Sequence, residues 1–362
     1  MAHLFDKQIR VFTTETSAWK SMLLDINNAT QSIVFEQFIF MSFEPGEIGN
    51  KFIVAIENAV TRGVKVSLRL DAFGSMQLLK DRVLAKELRD AGIRLNFYQT
   101  MPLRNMTTPI RLFIRNHRKV LLIDNCISWI GGTIVGEEFR GWHDYTWRID
   151  SAEFGYELDS ELQKQYDRLV TGKKTIAPFS KLSSQIRLVG NSPGIGNRHV
   201  YEQVSEHILI SKQAVFMVTP YFSPPLRLFR VLKEKLKEGG RIVLITPKKT
   251  DHALADWARW HYLWQLHRLG MEIYMCDFMN HAKIVSADNW VTFGSTNLDY
   301  LSLLFNHELN IDSQDPSQIA MVNQQIMTWL QNDYREMNRN ELVKLRPAFW
   351  QRATGRILAF IT

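Results

Sequence analysis

Apolar residues in this chain recur with two periods, and the two alternate in a fixed order. Gln31 to Phe40, QSIVFEQFIF, is a short β-rich run. After a turn at Pro45 and Gly46, apolar positions recur at helical spacing through Ile53, Ile56 and Val60, and the pattern stops at Gly63. VKVSLRLD then predicts a strand ending at Asp71. A second amphipathic helix through Leu84, Leu88 and Ala91 is closed by Gly92, and IRLNFY is the next strand. Strand, helix and strand in succession predict an α/β fold in which parallel strands are covered by helices.

The second half repeats the plan. VFMVTPYF (215–222) stands where IVFEQFIF stood, a helix ending at Glu238 leads into RIVLIT, and a helix ending at Gly270 leads into MEIYMC. Gly63 and Gly240 lie 177 residues apart, and Gly92 and Gly270 lie 178 apart. That period is too long for a solenoid unit and fits a duplicated domain. The expected boundary falls near Lys181 to Pro193, where Ser, Gly, Asn and Pro cluster. It separates a first domain, 1–180, from a second, 181–362, the two packed about a pseudo-twofold axis.

Within the repeat, one constellation of polar residues occurs twice. Asn116 to Thr133, NHRKVLLIDNCISWIGGT, and Asn280 to Asn297, NHAKIVSADNWVTFGSTN, both read His, one residue, Lys, four residues, Asp. His117, Lys119 and Asp124 thus answer to His281, Lys283 and Asp288. Side chains two apart on a strand share a face, so each His and Lys is expected to point the same way. Asp-Asn followed by a second apolar run (CISWIGG, WVTFGS) predicts a hairpin, with Asp124 and Asp288 anchoring its turn before any catalytic part. Asp144 follows His117 by 27 residues and Glu308 follows His281 by 27, so each imidazole has a carboxylate at the same offset to fix its tautomer. His117 to His281 spans only 164 residues, so the first half carries about fourteen extra residues ahead of its motif. From Arg104 to Lys119 that stretch holds Arg104, Arg111, Arg115, Arg118 and Lys119 without an acid, the most electropositive segment of the chain.

Charge and composition narrow the chemistry. A net charge of +7 and a pI near 9.3 suit an anionic partner such as phospholipid head groups or nucleic acid, or simply a basic solvated surface. Cys126 and Cys276 offer neither a disulfide framework nor zinc spacing, and no run of roughly twenty uncharged apolar residues is present to span a bilayer. The first residues, MAHLFDKQIR, lack the apolar core of a signal peptide, so the expected setting is cytoplasmic or peripheral. Two imidazoles and two ammonium groups brought together suit phosphoryl transfer with no metal and no cofactor: one imidazole attacks, the other protonates the departing oxygen, and the lysines neutralise the non-bridging oxygens. DHALADWARWHYLWQLHRL, with Trp257, Trp260 and Trp264, reads as helix core or as a lipid-facing wall.

The duplicated motif resembles the hallmark of the phospholipase D superfamily, and FEQFIF, LDAFGS, GWHDYTWRI, TPYFSP and GSTNLDYLSLLFNHELN resemble the bacterial cardiolipin synthases within it. The resemblance runs through both halves and implies two similar α/β/α domains, mixed sheets flanked by helices, with one site between them. It implies a phosphohistidine intermediate on His117, with His281 as general acid and then base. Asn297 and Ser295 would help hold the phosphate, and Glu36, Tyr221 and Arg115 are the further candidates for substrate contact. It implies a phosphatidyl transferase that condenses two phosphatidylglycerol molecules, or one with another phospholipid; a phospholipase D hydrolase, phosphodiesterase or nuclease of the same superfamily is the alternative. Anionic lipid and a membrane surface are then the partners, at the inner face of a bacterial cell membrane, with the segment 340–362 (Phe349, Trp350, Ile357 and Leu358 among basic residues) lying in the interface. Two positions depart from the family pattern. Ile134 occupies the first half's Asn position, and five residues rather than six separate Asp288 from Gly294, which predicts a tighter second hairpin.

Overall fold

In the computed structural model, which describes residues 8–98, 114–171, 177–181, 185–348 and 350, each half of the chain builds one mixed sheet. The first half supplies β1 (Ile9–Thr14), β2 (Ser32–Gln37), β3 (Lys65–Asp71), β4 (Arg94–Tyr98), β5 (Val120–Ile123), β6 (Ile127–Gly131) and β7 (His143–Asp150). They lie in the order β1-β7-β6-β5-β2-β3-β4. The second sheet contains β8 (Phe179–Lys181), β9 (Ile186–Asn191), β10 (Val215–Val218), β12 (Ile242–Pro247), β13 (Glu272–Cys276), β14 (Ile284–Ala287), β15 (Trp290–Gly294), β17 (Glu308–Ser313) and β18 (Arg335–Glu336), while the short β11 (Phe222–Ser223) and β16 (Leu298–Asp299) pair with each other.

The two sheets have one plan. Reading β4-β3-β2-β5-β6-β7-β1 against β13-β12-β10-β14-β15-β17-β9, both begin with two parallel pairings and continue with four antiparallel ones. The parallel pairs are joined through the helices Ile48–Thr61 and Arg82–Asp90 in one half and Leu226–Lys237 and Ala253–His267 in the other, where the apolar periods place them. β8 and β18 are edge additions to the second sheet alone.

Three cores hold this together. One lies under the first half's helices and a second under the second half's. The third joins the opposite faces of both sheets with the helices Ala152–Thr171 and Pro316–Asn332. Within it the rings of Trp147 on β7 and Phe293 on β15 sit 4.3 Å apart, and Tyr145 meets Phe293 edge-on at 5.2 Å. Apolar contact from one sheet to the other therefore fixes how the halves face each other, and with it everything that spans them.

Both hairpins form as predicted, and the second is the tighter. Ile123 pairs with Ile127 across three turn residues, whereas Ala287 pairs with Trp290 across two. Asp124 (φ 53°) and Asp288 (φ 49°) take the left-handed conformation that the turn requires. The Asp124 carboxylate accepts the backbone N–H groups of Thr30, Gln31 and Ser32 at 2.7–2.8 Å, and Asp288 accepts those of Lys212 and Gln213. Each aspartate thus ties its hairpin to the chain entering the neighbouring strand.

Candidate active site

The motif histidines and lysines do not lie on the hairpin strands. They occupy the extended segments just ahead of them, since β5 begins at Val120 and β14 at Ile284. Those segments cross to the other half. His117 N–H donates to His307 O at 2.9 Å and His307 N–H to Arg115 O at 2.8 Å. The mirror pair is His281 N–H to His143 O at 2.7 Å and His143 N–H to Met279 O at 3.0 Å. Each bridge sets the residue that follows, Glu308 or Asp144, beside the imidazole of the opposite repeat.

The carboxylates are therefore exchanged. His117 Nδ1 lies 3.0 Å from both oxygens of Glu308, and His281 Nδ1 lies 2.9 Å from Asp144 Oδ2. The equal offsets of 27 residues suggested pairing within each half; the structure pairs across halves instead, because the two sheets meet face to face and the extended segments bridge the junction. With Nδ1 engaged, Nε2 of each ring is the nitrogen left for the cavity that both rings line. Burial, as the largest effect, lowers both imidazoles to about 4, against the pull of their carboxylates, so both are neutral at pH 7 before substrate binds.

The lysines sit behind the rings. Lys119 Nζ donates to His117 O at 2.6 Å, and Lys283 Nζ donates to His281 O. Burial pushes Lys283 down to about 8, and burial together with the Lys283 charge pushes Lys119 well below its ordinary value. An anion arriving between them would relieve that cost.

Among the further candidates, Arg115, Tyr221 and Asn297 line the same cavity of about 760 Å³. Arg115 reaches Asp71 at 3.9 Å and lies over the Phe73 ring, and Tyr221 donates to Asp251 at 2.5 Å. Ser295 is elsewhere: its hydroxyl donates to Glu308 and accepts from Leu309 N–H, so it supports the carboxylate rather than facing the cavity. Glu36 does not line the cavity either. It is fully buried, pairs with Arg118 at 2.6 Å and accepts from Asn116 at 2.8 Å, and so holds the His117 segment from beneath. In the second half Tyr334 bonds Asn280 in that role. Asp124 and Asp288 lie at the far ends of the hairpin strands, seven residues and roughly 23 Å of extended chain from the imidazoles at about 3.3 Å per residue, where they anchor the turns.

The electropositive segment also reads differently in place. Arg118 and Lys119 are buried, Arg115 is at the cavity, and Arg104 and Arg111 lie outside the described residues. Of the tryptophans, Trp260 is core and donates to Leu342 O, while Ala253, Leu254 and Ala255 at the start of the same helix line the cavity. Most of 340–362 lies outside the described residues. Sequence reasoning passed over Asp251, Asp299 and Glu15. Asp299 follows Asn297 by two and caps the helix Tyr300–Leu304, and burial lifts its carboxyl to about 7. Glu15 opens the helix Glu15–Asn28, and only the fold brings it to the site.

A family model described as "Cardiolipin synthase, PLD-like domain" matches residues 22–166 and 204–334. The chain belongs to this phospholipase D-like family. Cardiolipin synthase A of Edwardsiella ictaluri is 27% identical over 98% of this chain and 75% of its own length. Cardiolipin synthase 1 of Staphylococcus epidermidis is 28% identical, and the major cardiolipin synthase of Bacillus subtilis 27%, each over 84% of this chain. The chain spans about two thirds of the length of those two relatives (64% and 65%). Phosphatidylserine synthase from Haemophilus influenzae has the same fold at a TM-score of 0.74 and 14% identity, over 98% of this chain and 96% of that one. Polyphosphate kinase from Porphyromonas gingivalis matches at 0.63 and 16%, over 97% of this chain and 53% of that one. Among the described residues of this phospholipase D-like chain, no helix is long and apolar enough to cross a membrane.

Proposed function

We propose that this protein is a phosphatidyl transferase of the cardiolipin synthase type, and that residues 1–180 and 181–362 each contribute half of its site. The observation that carries this reading is the pair of exchanged imidazole–carboxylate contacts opening on one cavity, about 760 Å³ in volume and walled by Phe38, Ile39, Phe73, Trp142, Leu254 and Leu301. The polar end handles a phosphodiester, and the apolar walls suit acyl chains.

His117 Nε2 attacks phosphorus of phosphatidylglycerol, the bond to the glycerol head group breaks, and glycerol leaves with a proton from His281 Nε2. The hydroxyl of a second phosphatidylglycerol then gives its proton back to His281 while its oxygen attacks phosphorus and the phosphorus–nitrogen bond breaks, leaving cardiolipin. A substrate phosphate beside His281 raises its proton affinity from the low value that burial sets, which arms it as the acid. Lys119, Lys283 and the Asn297 amide stabilise the non-bridging oxygens. Phe73 and Leu254, 59% and 45% exposed at the cavity, give the protein an apolar contact for the inner face of a bacterial membrane.

Labelled phosphatidylglycerol vesicles and, separately, DNA test this against His281→Ala. Cardiolipin with free glycerol is the expected product, absent in the variant. Phosphatidic acid alone would make the enzyme a hydrolase, and cut DNA a nuclease; unchanged activity in His281→Ala would defeat the two-histidine mechanism.

A further inference from the structure

The two dyads differ in what holds the far side of each carboxylate. Glu308 receives the Ser295 hydroxyl. The equivalent of Ser295 is Gly132, where a Cβ would come within 2.2 Å of Asp144 Oδ1, so no side chain can stand there to donate. Asp144 Oδ1 accepts the N–H of its own neighbour Tyr145 at 2.6 Å, and in place of a side-chain hydroxyl it has a third acid beside it. Glu15 is fully buried, and its carboxylate, that of Asp144 and a ring nitrogen of His281 all lie within 4.8 Å of one another.

Glu15 is brought there by the edge of the first sheet. The register of β1 on β7 shifts between Phe12 and Thr14 so that Thr14 pairs with His143, and Glu15 N–H donates to Trp142 O at 3.0 Å. One Glu15 oxygen accepts Ile134 N–H at 3.2 Å, while the other is buried without a hydrogen-bond partner. The Thr133 hydroxyl nearby is shared with Thr146 at 2.8 Å. The charged and titratable groups facing this carboxyl are Asp144 on β7, Lys283 and His281 ahead of β14, and Lys119 ahead of β5.

Two carboxylates this close in a dry site do not both stay ionised. We propose that Glu15 is a positioning residue that remains protonated and, as a neutral acid, supplies Asp144 with the donor that Ser295 supplies to Glu308. This rests on the two-histidine reading of the site. Burial and then the Asp144 charge lift the Glu15 carboxyl well above the ordinary carboxylate range, while Lys283 and His281 hold Asp144 below it against its own burial, so the proton resides on Glu15. When Glu15 ionises, its proton passes to solvent, the donor is lost, and a second negative charge faces the His281 dyad. One histidine thereby becomes pH-sensitive in a way that its counterpart, backed by a hydroxyl, is not.

The test compares wild type, Glu15→Gln and Glu15→Ala for phosphatidyl transfer from phosphatidylglycerol vesicles between pH 5 and 9. Beside it, the titration of His281 is followed by nitrogen NMR of histidine-labelled protein without substrate. Glu15→Gln keeps a neutral donor: at pH 6 its kcat/KM stays within about threefold of wild type, whereas Glu15→Ala falls by roughly tenfold or more, the loss of one hydrogen bond to a charged group. Above the pH at which Glu15 ionises, wild type declines and Glu15→Gln does not. His281 titrates in two coupled steps in wild type and one in Glu15→Gln. Superimposable pH profiles and identical His281 titrations in wild type and Glu15→Gln would overturn the proposal. So would a chelator-sensitive activity that Glu15→Gln abolishes, which would assign the cluster to a cation. If wild type makes no lipid product, the proposed function fails, and the substrate-free His281 titration still decides the part played by Glu15.

Discussion

Glu308→Gln removes the charge behind His117 with almost no change in shape. Glu308 is fully buried and His117 nearly so, with both carboxylate oxygens 3.0 Å from Nδ1, so solvent does little to screen the contact. A hydrogen bond to a charged group contributes about 1.5–3 kcal/mol, which corresponds to a loss of roughly 10–150-fold in transfer rate. The amide can also turn its NH2 toward Nδ1, which moves the ring proton to Nε2 and removes the attacking lone pair; that outcome extends the loss toward about 10⁴-fold. Transfer kinetics measure the loss, and nitrogen and proton NMR of histidine-labelled protein identify the ring concerned. The strongly hydrogen-bonded Nδ1–H of His117 disappears while that of His281 persists. Disappearance of the His281 signal instead, or a rate loss below about threefold, would refute the exchanged pairing.

Other expectations follow from the same contacts. Lys283 loses its proton as pH rises through about 8 before a ligand binds, so the Kd of a non-reactive phosphodiester weakens with increasing pH above 8; calorimetric titration reads this, and a flat Kd from pH 8 to 10 would contradict it. Asp124→Ala leaves three backbone N–H donors without their acceptor and an alanine at φ 53°, a destabilisation of about 1.5–3 kcal/mol in thermal or urea unfolding, with activity per folded molecule within about threefold; a catalytic collapse in a stable variant would restore the aspartate to the chemistry. Burial opposes ionisation of Asp124, but the backbone donors outweigh it and hold its carboxyl below the ordinary value. Its stabilising contribution is thus complete above the unfolded carboxylate range and is lost as pH falls through the lower folded value. In Asp124→Ala the unfolding free energy should depend less on pH in that acid window.

Much of this fold is legible in the chain because strands and helices are punctuated by the glycines at 63, 92, 240 and 270, and because a duplicated motif at matching places is hard to produce by chance. The one-residue shortening after Asp288 correctly announces the tighter hairpin. The exchange of carboxylates is not legible: two repeats with the same 27-residue offset look identical whether a carboxylate serves its own half or the other, and only the packing of Trp147 on Phe293 decides which. The place of Glu36 is hidden for a related reason, since a conspicuous acid in an apolar strand reads as a ligand contact until the fold supplies its buried partners, Arg118 and Asn116. Glu15 gave no signal because a glutamate at the first turn of a helix is ordinary, and it is the β1–β7 register that buries it.

The most direct test of the central claim is to trap the covalent adduct. Wild type, His117→Ala and His281→Ala are mixed briefly with radiolabelled phosphatidylglycerol, quenched in alkali-compatible denaturant and mapped by mass spectrometry. A phosphatidyl group on the peptide containing His117 in wild type, absent in His117→Ala, is the predicted result. Cardiolipin formed at the wild-type rate by His117→Ala, or an adduct confined to His281, would contradict the account.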